Sequence, residues 1–321
     1  MSPVVELRGI ELPIVQAGMG GGIARHELAA AVSEAGGLGT IGLAEPEAMR
    51  RELAAARRLT GKPVAVNLLL PFARRAHFDV AAEADALVTF WGKPQRRTGN
   101  LWLHQCGSVE EAAAAQAAGA DGVIAQGVEA GGHVRGSEPA LELLERVRRA
   151  LGPTYPVLLA GGLADRADVV AALDAGATAA VLGTRFLMSE ESHAHRAYKH
   201  RLMESRETVL TELFGAGWAD AKHRVLWNEA AHRWLGGDHR GPVAVRLAQR
   251  ALSPAFSLMP ASLQGQVARR QRAGLPLLGP FPPTDDGPRN LLDSGALYAG
   301  ESVARIYDIR PAGELVRQLA P

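Results

Sequence analysis

Eight short apolar runs recur along the first part of the chain and predict the strands of a parallel sheet. Each run is continuously apolar instead of alternating with polar residues, which is the pattern of a strand buried on both faces. Each run ends near Gly, Asn or another polar residue. The predicted strands are residues 13–19, 38–43, 64–70, 86–91, 101–106, 122–127, 157–162 and 179–184.

Alanine-rich segments with charges on one side separate most of these runs and predict helices, for example PEAMRRELAAARRLTGK at 46–62. Several end in Gly, as expected after a helix C-terminus. The first and eighth runs begin at residues 13 and 179, so the repeat averages about 24 residues, a compact βα unit. Eight such units predict an α/β fold, a (β/α)₈ TIM barrel. A doubly wound sheet is the alternative, disfavoured because no strand reversal is evident.

The βα pattern stops near Met188. Residues 190–235 have the pattern of helices, residues 236–290 are irregular and rich in Pro, and the tail 300–319 predicts a final helix. We therefore expect a barrel domain over 1–198, with a C-terminal helix over 299–321 packing back on it. A smaller helical and Pro-rich domain over 199–298 would cover the site at one barrel end.

Charge and hydropathy exclude several classes of protein. The 321 residues include 35 Lys and Arg and 34 Asp and Glu, so the formal net charge is +1, which argues against a strongly basic nucleic-acid-binding protein. No run reaches the roughly 18 to 20 apolar residues of a membrane helix, and the start lacks the pattern of an export signal. We expect a cytoplasmic protein without nucleic-acid or membrane partners. Nothing in the sequence selects an oligomeric state.

The sequence predicts no metal site. Cys106 is the one cysteine, which excludes an internal disulfide and a Cys-rich metal cluster. His193, His195 and His200 lie close together, but no two of them have the i, i+4 spacing of a helical metal site.

Glycine is abundant, 36 of 321 residues against a usual share of about 7%, and its placement points to a ligand. Glycines cluster after the first, sixth, seventh and eighth predicted strands. Active sites of barrels form at that face, and phosphate often binds after strands seven and eight. Glycine lets backbone N–H groups approach an anion, and helix N-termini add a partial positive charge. Thr184 and Arg185 offer a hydroxyl and a full charge. The alternative is that these glycines serve only tight turns.

A histidine lies on the glycine-rich loop after the sixth predicted strand, QGVEAGGHVRG at 126–136. The loop places His133 at the predicted catalytic face, where an imidazole can titrate near neutral pH and act as a general base. Gly131 and Gly132 would let the loop fold closely over a ligand. Glu129 would orient a neighbour or be solvated.

Several segments together resemble the nitronate monooxygenase (2-nitropropane dioxygenase-like) family. They are QAGMGGGIARHELAAAVSEAGGLGTIG, VAVNLLLP, IAQGVEAGGH, AGGLAD, GTRF and the ending ESVARIYDIRPAGELVRQL. The resemblance spans about residues 10–190 and 299–319. Its motifs are specific for a flavoprotein superfamily that also includes FMN-dependent enoyl-ACP reductases and some NAD(P)H:quinone reductases.

The resemblance implies an FMN-dependent oxidoreductase that oxidises alkyl nitronates or nitroalkanes with O₂ to a carbonyl compound and nitrite. His133 would be the catalytic base. The partners would be a small-molecule substrate and O₂. The alternative is an NAD(P)H reductase of quinones or enoyl thioesters, and a non-catalytic FMN or phosphate sensor is a third hypothesis. By this resemblance, FMN would contact Ala17, Gly18, Met19, Asn67, Gln126, Gly131, Gly132, Gly161, Gly162, Leu182, Gly183 and Thr184.

Three features depart from the family pattern. Gly18 stands where family members commonly have Pro, and Trp91 follows Phe90 where many have a Phe-His-Phe pattern. The connection over residues 92–100 is too short for the usual helix. These departures, with the Pro-rich insertion, bear more on the substrate than on the cofactor.

Overall fold

The computed structural model describes residues 9–237, 239–257, 259 and 261–321. Eight of its strands form one sheet in the order β1-β9-β8-β6-β5-β4-β3-β2, and all neighbours in it are parallel. The strands are β1 (Ile14–Gln16), β2 (Gly39–Ile41), β3 (Val64–Leu69), β4 (Ala86–Phe90), β5 (Leu101–Cys106), β6 (Gly122–Gln126), β7 (Gly132–His133), β8 (Val157–Ala160), β9 (Ala180–Leu182), β10 (Thr208–Thr211) and β11 (His223–Leu226).

The first and last strands of this sheet meet and close it into a barrel. Val15 forms a parallel bridge with Leu38, just before β2. The Leu38 N–H donates to the Ile14 carbonyl and the Gln16 N–H donates to the Leu38 carbonyl, each at 2.9 Å. The predicted (β/α)₈ barrel is therefore confirmed, and the doubly wound alternative is wrong.

Helices surround the barrel because the strands bury apolar side chains on both faces. Inward positions such as Val88 and Ile124 pack the barrel interior, and outward ones such as Leu87 and Val123 pack against the helical layer. As expected, no helix joins β4 and β5. The helices are α1 (His26–Glu34), α2 (Pro46–Leu59), α3 (Arg75–Ala81), α4 (Val109–Ala117), α5 (Ala140–Leu151), α6 (Arg166–Asp174), α7 (Thr184–Leu187), α8 (Arg196–Glu204), α9 (Glu229–Trp234), α10 (Val243–Ser257), α11 (Ala261–Arg270), α12 (Leu291–Ser294), α13 (Ala312–Leu319) and a 3₁₀ helix (Glu301–Arg305).

The region after the barrel differs from the prediction. Residues 190–235 are not uniformly helical, because β10 and β11 form an antiparallel sheet with β7. These strands of four residues or fewer are too short to show a period. Residues 236–290 are not simply irregular, since they contain α10 and α11. Pro242 directly precedes α10 and Pro254 lies inside it. Prolines usually interrupt helices, which is why the sequence predicted an irregular segment here.

The tail also differs from the single helix predicted over 300–319. A 3₁₀ helix and a loop precede α13, which packs against α1 and α6 at the outside of the barrel. Within the described residues, we find no helix that is both long and apolar enough to cross a membrane. The division of the chain into domains at residue 198 stays a prediction.

Candidate functional site

A cavity opens at the carboxyl ends of the barrel strands, above the packed barrel interior. All of the predicted site residues line it. They are His133, Ala17, Gly18, Met19, Asn67, Gln126, Gly131, Gly132, Gly161, Gly162, Leu182, Gly183 and Thr184. The sequence analysis missed several other lining residues. The larger of these are Phe72, Phe90, Gln105, Tyr198, Trp218 and Tyr298.

Two adjacent glycine loops form one side of the cavity. Gly161 and Gly162 follow β8 with φ of 116° and 74°, a backbone conformation that L side chains rarely adopt. Gly183 stands at the N-terminus of α7 and has φ of −100°. Within the described chain, no protein acceptor takes a hydrogen bond from the N–H groups of Gly162, Gly183 or Thr184. These groups can therefore hold an anionic ligand such as a phosphate.

Arg185, the charge predicted beside these loops, does not face the cavity. The Arg185 guanidinium is buried behind the loop, where it contacts an Asp308 carboxylate oxygen at 2.7 Å and donates to the Asp308 carbonyl at 2.7 Å. Burial lowers the pKa of Arg185, and Asp308 offsets part of that effect. The Thr184 hydroxyl accepts from the Gly300 N–H at 2.9 Å. Arg185 therefore holds the tail against the barrel.

The loop that carries His133 is fixed at both ends. Strand β7 pairs with β11, with His133 opposite His223 and Gly132 opposite Arg224. At the other end, the Gln126 amide donates to the His133 carbonyl at 2.8 Å and accepts from the Arg135 N–H at 2.9 Å. Gln126 lines the cavity, and its amide anchors the loop that carries His133.

Glu129 and Gly131 also serve this loop. Both Glu129 carboxylate oxygens accept from the Ala140 N–H at 3.0 Å, so this side chain caps α5. A Cβ at Gly131 would collide with the Gly300 backbone. The absence of a side chain there lets the tail cross over the loop.

Aromatic rings surround the His133 imidazole. The ring stacks on Trp218 with centroids 4.1 Å apart and lies 5.6 Å from the Tyr298 ring and 6.2 Å from the Trp91 ring. Within the described residues, its ring nitrogens have no protein hydrogen-bond partner. Desolvation lowers the pKa of His133 well below its usual range, and the nearby His223 lowers it further. His133 is therefore a neutral imidazole at pH 7, with a lone pair available to a ligand in the cavity.

His223 lies behind His133 in a fixed neutral tautomer. Its Nδ1 is 2.8 Å from the Ala221 carbonyl, which can only accept, so Nδ1 carries the proton. Its Nε2 accepts from the Phe214 N–H at 3.2 Å. Burial lowers the pKa of His223 to about 4. With both nitrogens used, His223 supports the strand under His133 and is not itself a proton acceptor.

The structure also places His104, which lies on β5, and Trp91, which follows β4. His104 faces the outer layer, where its Nδ1 lies 2.8 Å from the Thr89 hydroxyl, and burial lowers its pKa to about 4. Trp91 adopts φ of 64°, and its indole contacts that of Trp218 with centroids 4.8 Å apart. Trp91 therefore supports the aromatic wall around His133.

The Gly18 departure has a direct neighbour in the structure. A Cβ at residue 18 would collide with the Asn67 side chain, whose amide donates to the Val88 carbonyl at 3.3 Å. Glycine at this position and the placement of Asn67 are therefore coupled.

Comparison with known proteins agrees with this arrangement. A sequence model described as nitronate monooxygenase matches residues 1–92 and 92–321. The chain belongs to the nitronate monooxygenase family. It is an oxidoreductase, which excludes the non-catalytic sensor hypothesis. A probable nitronate monooxygenase of Staphylococcus saprophyticus is 34% identical over 292 residues, which cover 72% of this chain and 79% of that protein.

Two solved structures extend the likeness to the whole fold. A nitroalkane oxidase from Streptomyces ansochromogenes is 32% identical, with a TM-score of 0.74 over 96% of this chain and 94% of that one. FabK from Thermotoga maritima is 29% identical, with a TM-score of 0.75 over 97% and 92%. The overall fold of this chain is therefore similar both to that of a nitroalkane oxidase and to that of FabK.

Proposed function

We propose that this protein binds FMN and oxidises nitroalkanes and alkyl nitronates with O₂ to a carbonyl compound and nitrite. The observation that carries the proposal is His133, a neutral imidazole without a protein partner that faces a glycine-lined cavity. A general base needs a free lone pair and a position in the cavity. Membership in a flavoenzyme family supports the cofactor.

The residues present fit an elongated phosphate-bearing cofactor. The free N–H groups of Gly162, in the loop after β8, and of Gly183 and Thr184, at the N-terminus of α7, would hold the phosphate. Residues 17–19 and Asn67 would border the ring, with Gly131 and Gly132 at its edge. FMN, when bound, supplies the redox chemistry, and the protein binds, orients and excludes water.

The cavity favours an uncharged substrate. None of its described lining residues is Asp, Glu, Lys or Arg, and Phe72, Trp218 and Tyr298 make the wall near His133 apolar. An anionic substrate would be desolvated there without an opposing charge, which costs free energy. We therefore expect neutral nitroalkanes with an apolar chain to be preferred over nitronates that carry a further carboxylate. His133 would remove the proton from the carbon beside the nitro group.

A second candidate is an NAD(P)H-dependent reductase of quinones or enoyl thioesters. The likeness to FabK over nearly the whole chain supports it. The two candidates differ in the electron donor, which is the nitroalkane or its nitronate in the first and NAD(P)H in the second.

Anaerobic mixing separates the candidates. Protein loaded with FMN is mixed with 2-nitropropane, with its nitronate, with propionate 3-nitronate, or with NADPH, and flavin absorbance is followed. We expect bleaching by the nitro compounds, and nitrite formation once O₂ is admitted. Bleaching by NADPH alone would favour the reductase, and a protein that retains no flavin would contradict both candidates.

A further inference from the structure

Two histidines and two glutamates converge outside the cavity, where three segments of the chain meet. His26 and Glu27 begin α1, Glu52 lies in α2, and His193 precedes α8. The His26 Nδ1 is 2.6 Å from Glu52 Oε2 and 3.2 Å from Glu27 Oε2. Glu27 Oε2 is also 3.0 Å from the His193 Nε2. All four side chains are partly exposed, so solvent can reach them.

One ring proton on each imidazole satisfies two of these contacts, that of His26 with Glu52 and that of His193 with Glu27, and leaves the 3.2 Å approach of Glu27 to His26 without a proton. An imidazole Nδ1 carries at most one proton and makes one strong hydrogen bond. Two carboxylate oxygens nevertheless approach the single Nδ1 of His26, and one of them also approaches His193. When His26 holds its proton on Nε2, its Nδ1 lone pair and one oxygen of each of the Glu27 and Glu52 carboxylates lie within 4.8 Å of one another. That is the donor set of a divalent cation.

We propose that His26, Glu27 and Glu52 bind a divalent transition-metal ion, with Zn²⁺ as the preferred class, and that His193 orients the Glu27 carboxylate. Zn–N and Zn–O bonds of roughly 2.0 to 2.2 Å place neighbouring ligand atoms of a tetrahedron about 3.3 Å apart. The 3.2 Å separation of His26 Nδ1 and Glu27 Oε2 is close to this value, and the 2.6 Å pair of His26 and Glu52 widens on metal entry. An imidazole ligand favours zinc over Mg²⁺ or Ca²⁺, which take oxygen ligands.

The site would clamp three parts of the molecule together. The His193 N–H donates to the Ile23 carbonyl at 2.9 Å, and Ile23 lines the cavity. The His193 carbonyl accepts from the Asp285 N–H at 3.0 Å, so the same residue also contacts the segment at 282–286. A bound ion would therefore tie the loop after β1 to α2 and to that segment. Its role is stabilisation, because no ligand of the site touches the catalytic cavity.

The sequence analysis predicted no metal site because it compared histidines close in sequence. Only one member of that group, His193, belongs to this cluster. Its partners come from positions more than 140 residues away. Ligands brought together by tertiary structure leave no spacing motif.

The test uses untagged, flavin-loaded full-length protein stripped with a chelator. Zn²⁺ is titrated by calorimetry, Co²⁺ is added to detect the visible absorption of a tetrahedral site, and the melting temperature is measured with each metal. The variants are Glu52→Gln, which keeps side-chain shape, and His193→Asn. His200→Asn is the matched control, because His200 is exposed on α8 nearby.

We expect one equivalent of Zn²⁺ to bind and to raise the melting temperature by several degrees. Glu52→Gln should weaken binding by at least about 100-fold, because it removes a charged ligand. His193→Asn should weaken binding by about 10- to 100-fold, because it removes the hydrogen-bond partner of the Glu27 ligand. The control should bind as the wild type does, and Mg²⁺ should have no effect. Absence of Zn²⁺ binding, unchanged affinity in both Glu52→Gln and His193→Asn, or equal loss in the control would overturn the proposal.

Discussion

The imidazole of His133 stacks on the indole of Trp218, with ring centroids 4.1 Å apart and planes inclined by 30°. His133 belongs to the barrel loop after β6, and Trp218 comes from the segment between β10 and β11. The contact therefore brings the proposed base, on the barrel, against a residue of the segment that follows the barrel strands. It shields the imidazole from water and fixes its ring plane, so both the basicity and the direction of the base depend on this pair.

Replacing His133 tests the proposed base directly. His133→Asn removes the proton acceptor and keeps a polar side chain of similar size. We expect kcat/KM for neutral 2-nitropropane to fall by about 10²- to 10⁴-fold, the usual contribution of general base catalysis. The preformed nitronate needs no proton removal, so its oxidation should fall much less. The measurement is nitrite release with both substrates at equal FMN content. Equal losses for the two substrates would remove His133 from the role of base.

Removing the indole should change the pH dependence of the same reaction. In Trp218→Ala the imidazole is more hydrated, so its pKa rises toward the usual value near 6.5. Because only neutral His133 accepts a proton, the acid limb of kcat/KM for 2-nitropropane should move to higher pH. Trp218→Phe retains an aromatic face and should move the limb less.

Trp227→Phe is the matched control for this experiment. Trp227 also stacks on a histidine, His232, with centroids 5.0 Å apart, and it does not line the cavity. Its pH profile should match that of the wild type. An unshifted profile in Trp218→Ala would show that the indole does not set the basicity of His133.

A methyl group at Gly183 should weaken cofactor binding without disturbing the fold. The φ of Gly183 is −100°, and an added Cβ would meet only the Ala17 Cβ, at 3.8 Å, before entering the cavity. We expect Gly183→Ala to raise the FMN dissociation constant by about tenfold, equivalent to roughly 1.4 kcal/mol. Flavin fluorescence measures the affinity. Gly61→Ala, in an exposed turn where a Cβ contacts nothing, is the control. Equal affinity in the two variants would place the phosphate elsewhere.

The sequence predicted the parts of the site that depend on local pattern. Glycine loops such as 161–162 and 131–132 follow buried strands, so barrel geometry was enough to bring them to one face. Trp218 and Tyr298 could not be found that way, because they follow no strand of the barrel and belong to no motif. The short pairing of β7 with β11 likewise depends on contacts between residues about 90 positions apart. The direction of a side chain could not be predicted either, since Arg185 adjoins the glycine loop after β9 but its guanidinium points to Asp308.

Three lowered imidazole pKa values predict that the fold loses stability in mild acid. Burial lowers the pKa of His104 and of His223 to about 4, and desolvation lowers that of His133 well below its usual range. In the unfolded chain all three regain a pKa near 6.5. Between about pH 6.5 and pH 4 the unfolded state therefore binds protons that the folded state does not. The free energy of unfolding is fully retained above this window and falls as the pH falls through it.

The loss approaches about 1.4 kcal/mol per pH unit for each fully protected group. Urea unfolding of the wild type at about pH 7, 6 and 5 measures the slope, and His104→Gln should reduce it by removing one of the three titrating groups. His200→Gln, at an exposed position on α8, should keep the wild-type slope. Carboxylates titrate alike in all three proteins, so the difference between slopes isolates the imidazole. If His104→Gln kept the wild-type slope, His104 would have to be protonated as readily in the folded barrel as in the unfolded chain, against its burial beside Thr89.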